Sequence, residues 1–407
     1  MAILHRNRNL SALMPRYVAR FRCVGASCED TCCAGWSVHI DKKTYKAYRN
    51  QTHEALKPVV AAMQRIDNPA DPTMYGVLPV AGLGGDCPAL QNGMCAIQAN
   101  IGTSYLPDTC DTFPRLNRNV NGQVEQSLTL SCPEAARLAL LSEDAFDFIE
   151  APVSVREGTV YRAATVMGMT NDVMNELRIF SMNLMRTREL ALWQRLALLG
   201  TFCEALDRDR GNDAASTLIN EFTRLIENGE LLATLELIQP NYEAQAMVFA
   251  TLWASKGFEG QSAYQQAQMA RIAEGLGADA NGQVSAAGLV AAYRNGLCRL
   301  DQALTTAPWL IEHFILNEMF IQQFPVGGVS AYESFLRLVA RFGLLRFLLA
   351  AQCNGGSEVP PLSVLVATAG LQSRRFQHNA IFTQQVNRSL HESGWGDLDK
   401  LYMLLRT

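Results

Sequence analysis

The sequence predicts a mainly α protein: an irregular cysteine-rich metal-binding N-terminal part with minor β structure, followed by a multi-helix domain. Three observations predict it. Eight of the 11 cysteines fall between Cys23 and Cys132. The same stretch is rich in turn-forming Pro and Gly and shows little repeating apolar pattern. From Ser131 onward, apolar residues recur at helical spacing. A chain of 407 residues exceeds one ordinary core. We therefore expect a cysteine-rich metal or iron–sulfur domain over 1–132 and a helical, substrate-binding domain over 133–407.

In chain order, residues 1–22 read as an arm leading into the first cysteines. Trp36-Ser-Val-His-Ile40 alternates as a short strand does. Asp41 then suits the N-cap of a helix running through Tyr45, Tyr48 and Leu56. Residues 67–95 carry Asn68-Pro69, Asp71-Pro72, Gly82-Leu-Gly84-Gly85 and Asn92-Gly93, which is turn chemistry. Asn121-Gly122 between β-prone runs predicts a hairpin near 115–130. Ser131-Cys-Pro-Glu134 has the form of a capping box, and so does Ser330-Ala-Tyr-Glu333. Val173, Leu177, Phe180 and Leu184 mark one helix face; Leu192, Leu196, Leu199, Cys203 and Leu206 mark the next. Further helices are expected at 212–228, 242–255, 262–275, 285–305, 308–323, 331–352 and 377–392. Residues 354–361 read as a loop.

Net charge is −4, which excludes a wholesale nucleic-acid polycation. Its distribution is uneven. Residues 1–50 hold nine Lys/Arg against three Asp/Glu, and residues 141–407 hold 21 against 28. An acidic helical part suits a basic partner. Residues 1–21 contain four Arg and no uninterrupted apolar run, so they do not read as an export signal. No stretch approaches the length of a spanning helix. A cytoplasmic protein is expected, without a membrane or nucleic-acid partner.

The cysteines are spaced C-x4-C-x3-C-C from Cys23 through Cys28 and Cys32 to Cys33, then continue at Cys87, Cys95, Cys110 and Cys132. In a reducing compartment such density points to metal ligands or redox groups more than to disulfides. Four thiolates close a tetrahedral zinc site or hold an iron–sulfur cluster. Adjacent Cys32 and Cys33 are awkward ligands for the same ion, because their side chains diverge. Paired C-x2-C zinc knuckles are absent. So is a C-x3-C-x2-C triplet, of which Cys28-x3-Cys32 matches only the first half. Cys203, Cys298 and Cys353 fall singly in helical segments and read as buried small hydrophobes. On the residues alone the chain is metal-competent and largely helical, and two readings stay open: a non-catalytic zinc or iron–sulfur module with a helical partner-binding domain, and a redox protein using the tandem thiols.

Phe21-Arg-Cys23 followed by Cys28-Glu-Asp-Thr-Cys32-Cys33-Ala-Gly-Trp36 resembles the opening of flagellin lysine-N-methylases. Cys87-Pro-Ala-Leu90, Gly93-Met-Cys95, Tyr105-Leu-Pro-Asp-Thr-Cys110, Thr112-Phe-Pro-Arg115 and Ser131-Cys-Pro-Glu-Ala-Ala136 extend the likeness. The N-terminal half also resembles the cysteine-rich CxxCxxCC metal-chelating family, from which the wider C-x4-C-x3-C-C spacing departs. The resemblance is dense over 16–140 and looser beyond, at Phe314-Ile-Leu-Asn317 through Phe324-Pro325 and near Tyr402-Met-Leu-Leu-Arg406. It implies a methyltransferase that N-methylates flagellin lysines. The implied donor is S-adenosyl-L-methionine, and the implied centre is a [4Fe–4S] cluster. Cys23, Cys28, Cys32, Cys33, Cys87, Cys95, Cys110 and Cys132 carry over as candidate metal and cofactor ligands.

Other residues are weaker candidates. Glu29 and Asp30 sit inside the cysteine loop, where they could orient ligands or accept a proton. Trp36 is placed to stack on adenine or to shield a metal, and His39 reads as packing or surface. Glu312 and Glu318 are acidic groups that could attract substrate lysines. Gly82-Leu-Gly84-Gly85 has no helical pattern after it, unlike a Gly-rich nucleotide loop. No catalytic base is assigned.

Overall fold

The structure is a computed structural model. It describes residues 4–406 except 70, 81, 83, 163–167, 209–210, 256–260, 280, 357 and 378–379. Helix dominates the described residues, with 18 α-helical segments against three small sheets. The mainly α expectation holds. Contacts divide the chain into two compact units. One comprises Met1–Leu138, Asp147–Arg162 and Gly257–Ala270; the other comprises Ala139–Phe146, Ala163–Lys256 and Arg271–Thr407.

The first unit is built on a five-stranded sheet in the order Val160–Arg162, Arg115–Val120, Gln123–Leu128, Asn7–Pro15, Phe148–Arg156. The middle pair is the hairpin expected at Asn121-Gly122. Both turn residues have positive φ, as a tight two-residue turn demands. The arm expected over 1–22 is instead the strand Asn7–Pro15 followed by the short helix Arg16–Arg20. That strand pairs antiparallel with Phe148–Arg156 along its whole length, from Asn7 opposite Arg156 to Pro15 opposite Phe148. It also pairs parallel with Gln123–Leu128. Its inward positions Ala12 and Met14 are buried, as the two-residue period of a strand requires.

A second layer of short elements packs around Val38, Ile40, Tyr48, Leu56, Val59, Leu78 and Ile97. Val38–Ile40 is the short strand expected there. Asp41 caps the next helix by accepting the amides of Lys43 and Thr44 at 2.7 and 3.0 Å. That helix ends at Arg49, and Leu56 falls in a separate 3₁₀ turn. Tyr48 ties the layer together by donating its hydroxyl to the carbonyl of Tyr105 at 2.6 Å.

The second unit is helical. Its central helix, Ala331–Asn354, is apolar on nearly every side and correspondingly buried. Ser330 caps it by accepting the amide of Glu333 at 3.1 Å. The Glu333 carboxylate goes to Asn387 and His391 rather than completing the box. The helices Leu192–Arg208, Tyr242–Ala254, Ala286–Ala303 and Leu362–Phe376 pack against it. Glycines allow close approaches to it. A Cβ on Gly296 would overlap the carbonyl of Ala350, and one on Gly343 would overlap the ring of Phe249. Buried Arg346 donates to the carbonyl of Leu404 at 2.6 Å and to that of Leu405, closing the end of helix Leu398–Leu405.

Most expected helices are present within a few residues of their expected ends. In the second unit the helices Glu230–Leu235, Leu362–Phe376 and Leu398–Leu405 are additional, as are short helices of the first unit such as Lys57–Ala62 and Asp108–Thr112. The last expected helix is described as Ala380–Glu392, and residues 378 and 379 of the expected 377–392 lie outside the described residues. Among the described residues, no helix is long and apolar enough to cross a membrane.

Candidate functional site

The first unit encloses a cavity of about 660 Å³. Seven of the eight clustered cysteines line it: Cys23, Cys28, Cys32 and Cys33 from the opening stretch, and Cys95, Cys110 and Cys132 from farther along. The eighth, Cys87, is 6% exposed and lies in the adjoining core.

Local structure explains how thiols so far apart in sequence come together. Cys28 follows the 3₁₀ turn Gly25–Ser27. The Cys32-Cys33 turn is held by two backbone links. The amide of Cys87 donates to the carbonyl of Cys33 at 2.7 Å, and the amide of Gly35 donates to that of Gly85 at 2.9 Å. Cys95 caps the helix Ala96–Asn100, and Cys110 lies inside the helix Asp108–Thr112. Cys132 immediately precedes the helix Pro133–Leu141. The amides of Ile97 and Gln98 pull Cys95 toward thiolate, and those of Glu134 and Ala135 pull Cys132 the same way, against burial. Helix N-termini with amides aimed at sulfur favour thiolate.

The neighbouring Cys32 and Cys95 thiols, with burial, push the Cys33 thiol up, so that it is the group that keeps its proton. Cys95 is pulled down to about 6 by the Cys33 thiol, helped by the amides. Burial raises Cys28, Cys87 and Cys110, and raises Cys132 to about 11. The neighbouring thiols push Cys110 further the same way.

The donor set suits a soft or borderline metal, since it offers sulfur from several elements with backbone amides as outer support. Among the described residues, no group of three or more His, Cys, Asp or Glu side chains is drawn together closely enough to hold a metal ion as placed.

The weaker candidates take ordinary structural partners. Glu29 pairs with Arg137. Asp30 is 8% exposed and accepts from Gln265 at 3.0 and 3.1 Å and from Ser262 at 3.2 Å. Trp36 donates its indole N–H to the carbonyl of Cys32 at 2.8 Å and packs against the apolar core rather than lining the cavity. His39 is exposed. In the turn Gly82–Gly85, Leu83 lies outside the described residues; Gly84 has φ +77° and packs against the backbone of Gln261. In the Ser131–Glu134 motif, Ser131 Oγ is 2.8 Å from Thr129 Oγ1, while Glu134 bonds to Arg137 at 2.9 Å.

Glu312 and Glu318 do not form an acidic surface. They are 3% and 2% exposed in the second unit. Arg195 reaches Glu312 at 2.7 Å and Arg188 reaches it at 2.9 Å, while Glu318 is 3.8 Å from Arg341. A helix buried on all sides hides its charges along with its apolar residues, which a charge count cannot register. Cys203 and Cys353 are buried as expected, whereas Cys298 is exposed.

The sequence reading missed the polar wall of the cavity. Arg115, Asn117 and Gln126 lie on the hairpin strands and line the cavity. Arg115 and Asn117 are two residues apart on one strand, and Asn117 pairs in register with Gln126. Polar residues at alternate strand positions are the signal that identifies such a face.

The C-terminal domain model of FliB lysine N-methylase matches residues 178–404. The chain is 24% identical over 416 residues to the lysine-N-methylase of Salmonella typhimurium (strain LT2), covering 98% of this chain and all of that protein. The same identity and coverage hold for the lysine-N-methylase of Salmonella choleraesuis. The flagellar biosynthetic protein FliU of Salmonella muenchen is 30% identical over 139 residues, which is 34% of this chain and 82% of that protein. No solved structure matches the chain.

Proposed function

The chain belongs to the FliB lysine N-methylase family, and from that premise we propose that it N-methylates lysine side chains of flagellin, with S-adenosyl-L-methionine as donor and a [4Fe–4S] cluster held by cysteines of the first unit. The observation that carries this reading is the thiol-lined cavity, in a chain that aligns along 98% of its length with two lysine-N-methylases. Cys23, Cys28, Cys32, Cys33, Cys95, Cys110 and Cys132 are the residues on hand to ligate, with Cys87 directly behind them. A bound cluster would supply a Lewis-acidic, redox-capable iron centre and a fixed scaffold for the loops that carry the thiols.

The reaction needs a neutral amine. The lysine nitrogen lone pair forms the new N–C bond, the C–S bond of the sulfonium breaks, and the sulfur leaves as a neutral thioether. One proton leaves the nitrogen. A lysine in water is protonated near pH 7. The enzyme's contribution is therefore to strip water from the ammonium so that it gives up that proton before transfer. The cavity of the first unit would hold the donor's sulfonium, and the cytosol, where unexported flagellin is available, would be the compartment for the reaction.

The test is an anaerobic assay of metal-loaded protein with cognate flagellin and methyl-labelled donor. Label on flagellin lysines is the expected result. Its absence, with iron and sulfide present in the protein, overturns the methylase reading.

A further inference from the structure

The thiol cavity is larger than its sulfur wall requires. At about 660 Å³ it is in the size range of pockets that enclose a small organic molecule. Its polar wall is the hairpin face carrying Arg115, Asn117 and Gln126.

Arg115 is half-buried and lies over the ring of Phe21, 5.0 Å from guanidinium carbon to ring centroid. Among the described residues it has no hydrogen-bond acceptor and no carboxylate within ion-pair distance. The cavity's other arginines differ. Arg156 spends its donors on the carbonyls of Leu106 and Thr103 and on Asp108 and Asp111. Arg22 donates to the carbonyls of Ala19 and Phe21. Burial, with the Arg22 charge adding to it, pulls the Arg115 guanidinium below its ordinary value against the opposing charge of Asp111.

Asn117 is 2% exposed, and its side-chain carbonyl accepts from Gln126 at 2.7 Å. That bond uses the Asn117 carbonyl and one Gln126 amide hydrogen, so the amide N–H₂ of Asn117 is the donor and the side-chain carbonyl of Gln126 the acceptor that this pair can turn to a ligand. One strand pair therefore offers the cavity a fixed cation, an amide donor and an amide acceptor. A carboxylate with an ammonium one carbon away matches that set: two donors for the carboxylate and one acceptor for the ammonium.

We propose that the Arg115–Asn117–Gln126 face binds the amino-acid end of the methyl donor, with Arg115 and Asn117 on its carboxylate and Gln126 on its ammonium. This rests on the donor reading above. It places the sulfonium between that face and the thiols, so the hairpin is the positioning element for the donor.

The experiment measures equilibrium binding of two probes to the full-length, metal-loaded chain. S-adenosylhomocysteine keeps the amino-acid end; 5′-methylthioadenosine lacks it. Arg115→Gln is expected to weaken S-adenosylhomocysteine by roughly 10- to 100-fold, the range for losing a charge-assisted contact. It is expected to leave methylthioadenosine within about twofold and iron content unchanged. Arg115→Lys, which keeps the charge and loses the planar fork, is expected to weaken S-adenosylhomocysteine by only several-fold; it also serves as the reading variant if Arg115→Gln fails to fold. Equal loss for both probes, no loss for either, or iron loss in parallel with the binding loss overturns the assignment. Failure of the unaltered protein to bind S-adenosylhomocysteine overturns the donor reading itself, and this inference with it.

Discussion

The amide of Cys87 donates to the carbonyl of Cys33 at 2.7 Å. This bond clamps the tandem-cysteine turn onto the Pro- and Gly-rich segment, and it explains why thiols from both segments face one cavity. If the clamp serves a metal, removing the metal releases the loops it organises. Chelation under anaerobic conditions is expected to lower the thermal midpoint of the first unit while the helical unit keeps its far-UV signal. An unchanged unfolding profile after complete metal removal would contradict a structural role for the metal.

Individual cysteines should separate by position. Cys33→Ala and Cys95→Ala, whose thiols shift each other's proton affinity within the cavity, are expected to lose most bound iron and all methyl transfer. Cys203→Ala, fully buried in the second unit, is expected to keep its iron and lose about 1 kcal/mol of stability through lost packing. Iron and sulfide analysis together with urea denaturation reads both.

Arg156 should report how the site is held. It is 3% exposed and bridges Thr103, Leu106, Asp108 and Asp111. Two of these residues lie in the helix that carries Cys110. Arg156→Met is expected to cost about 3–5 kcal/mol, because it strands acceptors around a buried charge site. Arg156→Lys should recover only part, since one ammonium cannot replace the fork. Metal content should fall with stability in both variants.

Glu312 should behave as a structural anion. Glu312→Ala leaves buried Arg195 without its carboxylate partner. A loss of about 3–5 kcal/mol in the helical unit is expected. The flagellin KM of whatever fraction remains folded should be unchanged. A raised KM at full stability would instead make Glu312 a substrate contact.

His313 supplies a pH dependence. Its ring is 1% exposed, and burial lowers it from 6.5 to about 4, against the opposing bond to the Ala139 carbonyl and the Glu312 charge. Arg188 and Arg186 add to the lowering. The folded state thus disfavours the imidazolium. Its stability contribution is intact above pH 6.5, falls as pH drops from 6.5 toward 4, and is gone below that. The full loss is about 3 kcal/mol. Urea midpoints across this window should fall for the parent protein and flatten in His313→Gln.

Gly296 tests the helix packing. Its Cα faces the Ala350 carbonyl with no room for a side chain. Gly296→Ala is expected to cost about 1–3 kcal/mol by overpacking, despite the better helix propensity of Ala. A stabilised variant in thermal melts would contradict the close approach.

By itself the sequence determined what depends on neighbours in the chain. The cysteine string, the Asn121-Gly122 hairpin, the Asp41 and Ser330 caps, and the long helices all follow from local spacing, so they were legible there. Tertiary structure decided what depends on distant partners. Asn7–Pro15 is a strand because Phe148–Arg156 returns to pair with it, and no local period announces a partner that far along. Glu312 and Glu318 are hidden because their helix is enclosed, although their composition is that of a surface. The thiols line one cavity only because the Cys33–Cys87 link and the helices beginning at Ala96 and Pro133 bring them there. Arg115 became its unpaired cation for the same reason: the partners of a charge are set by what folds around it.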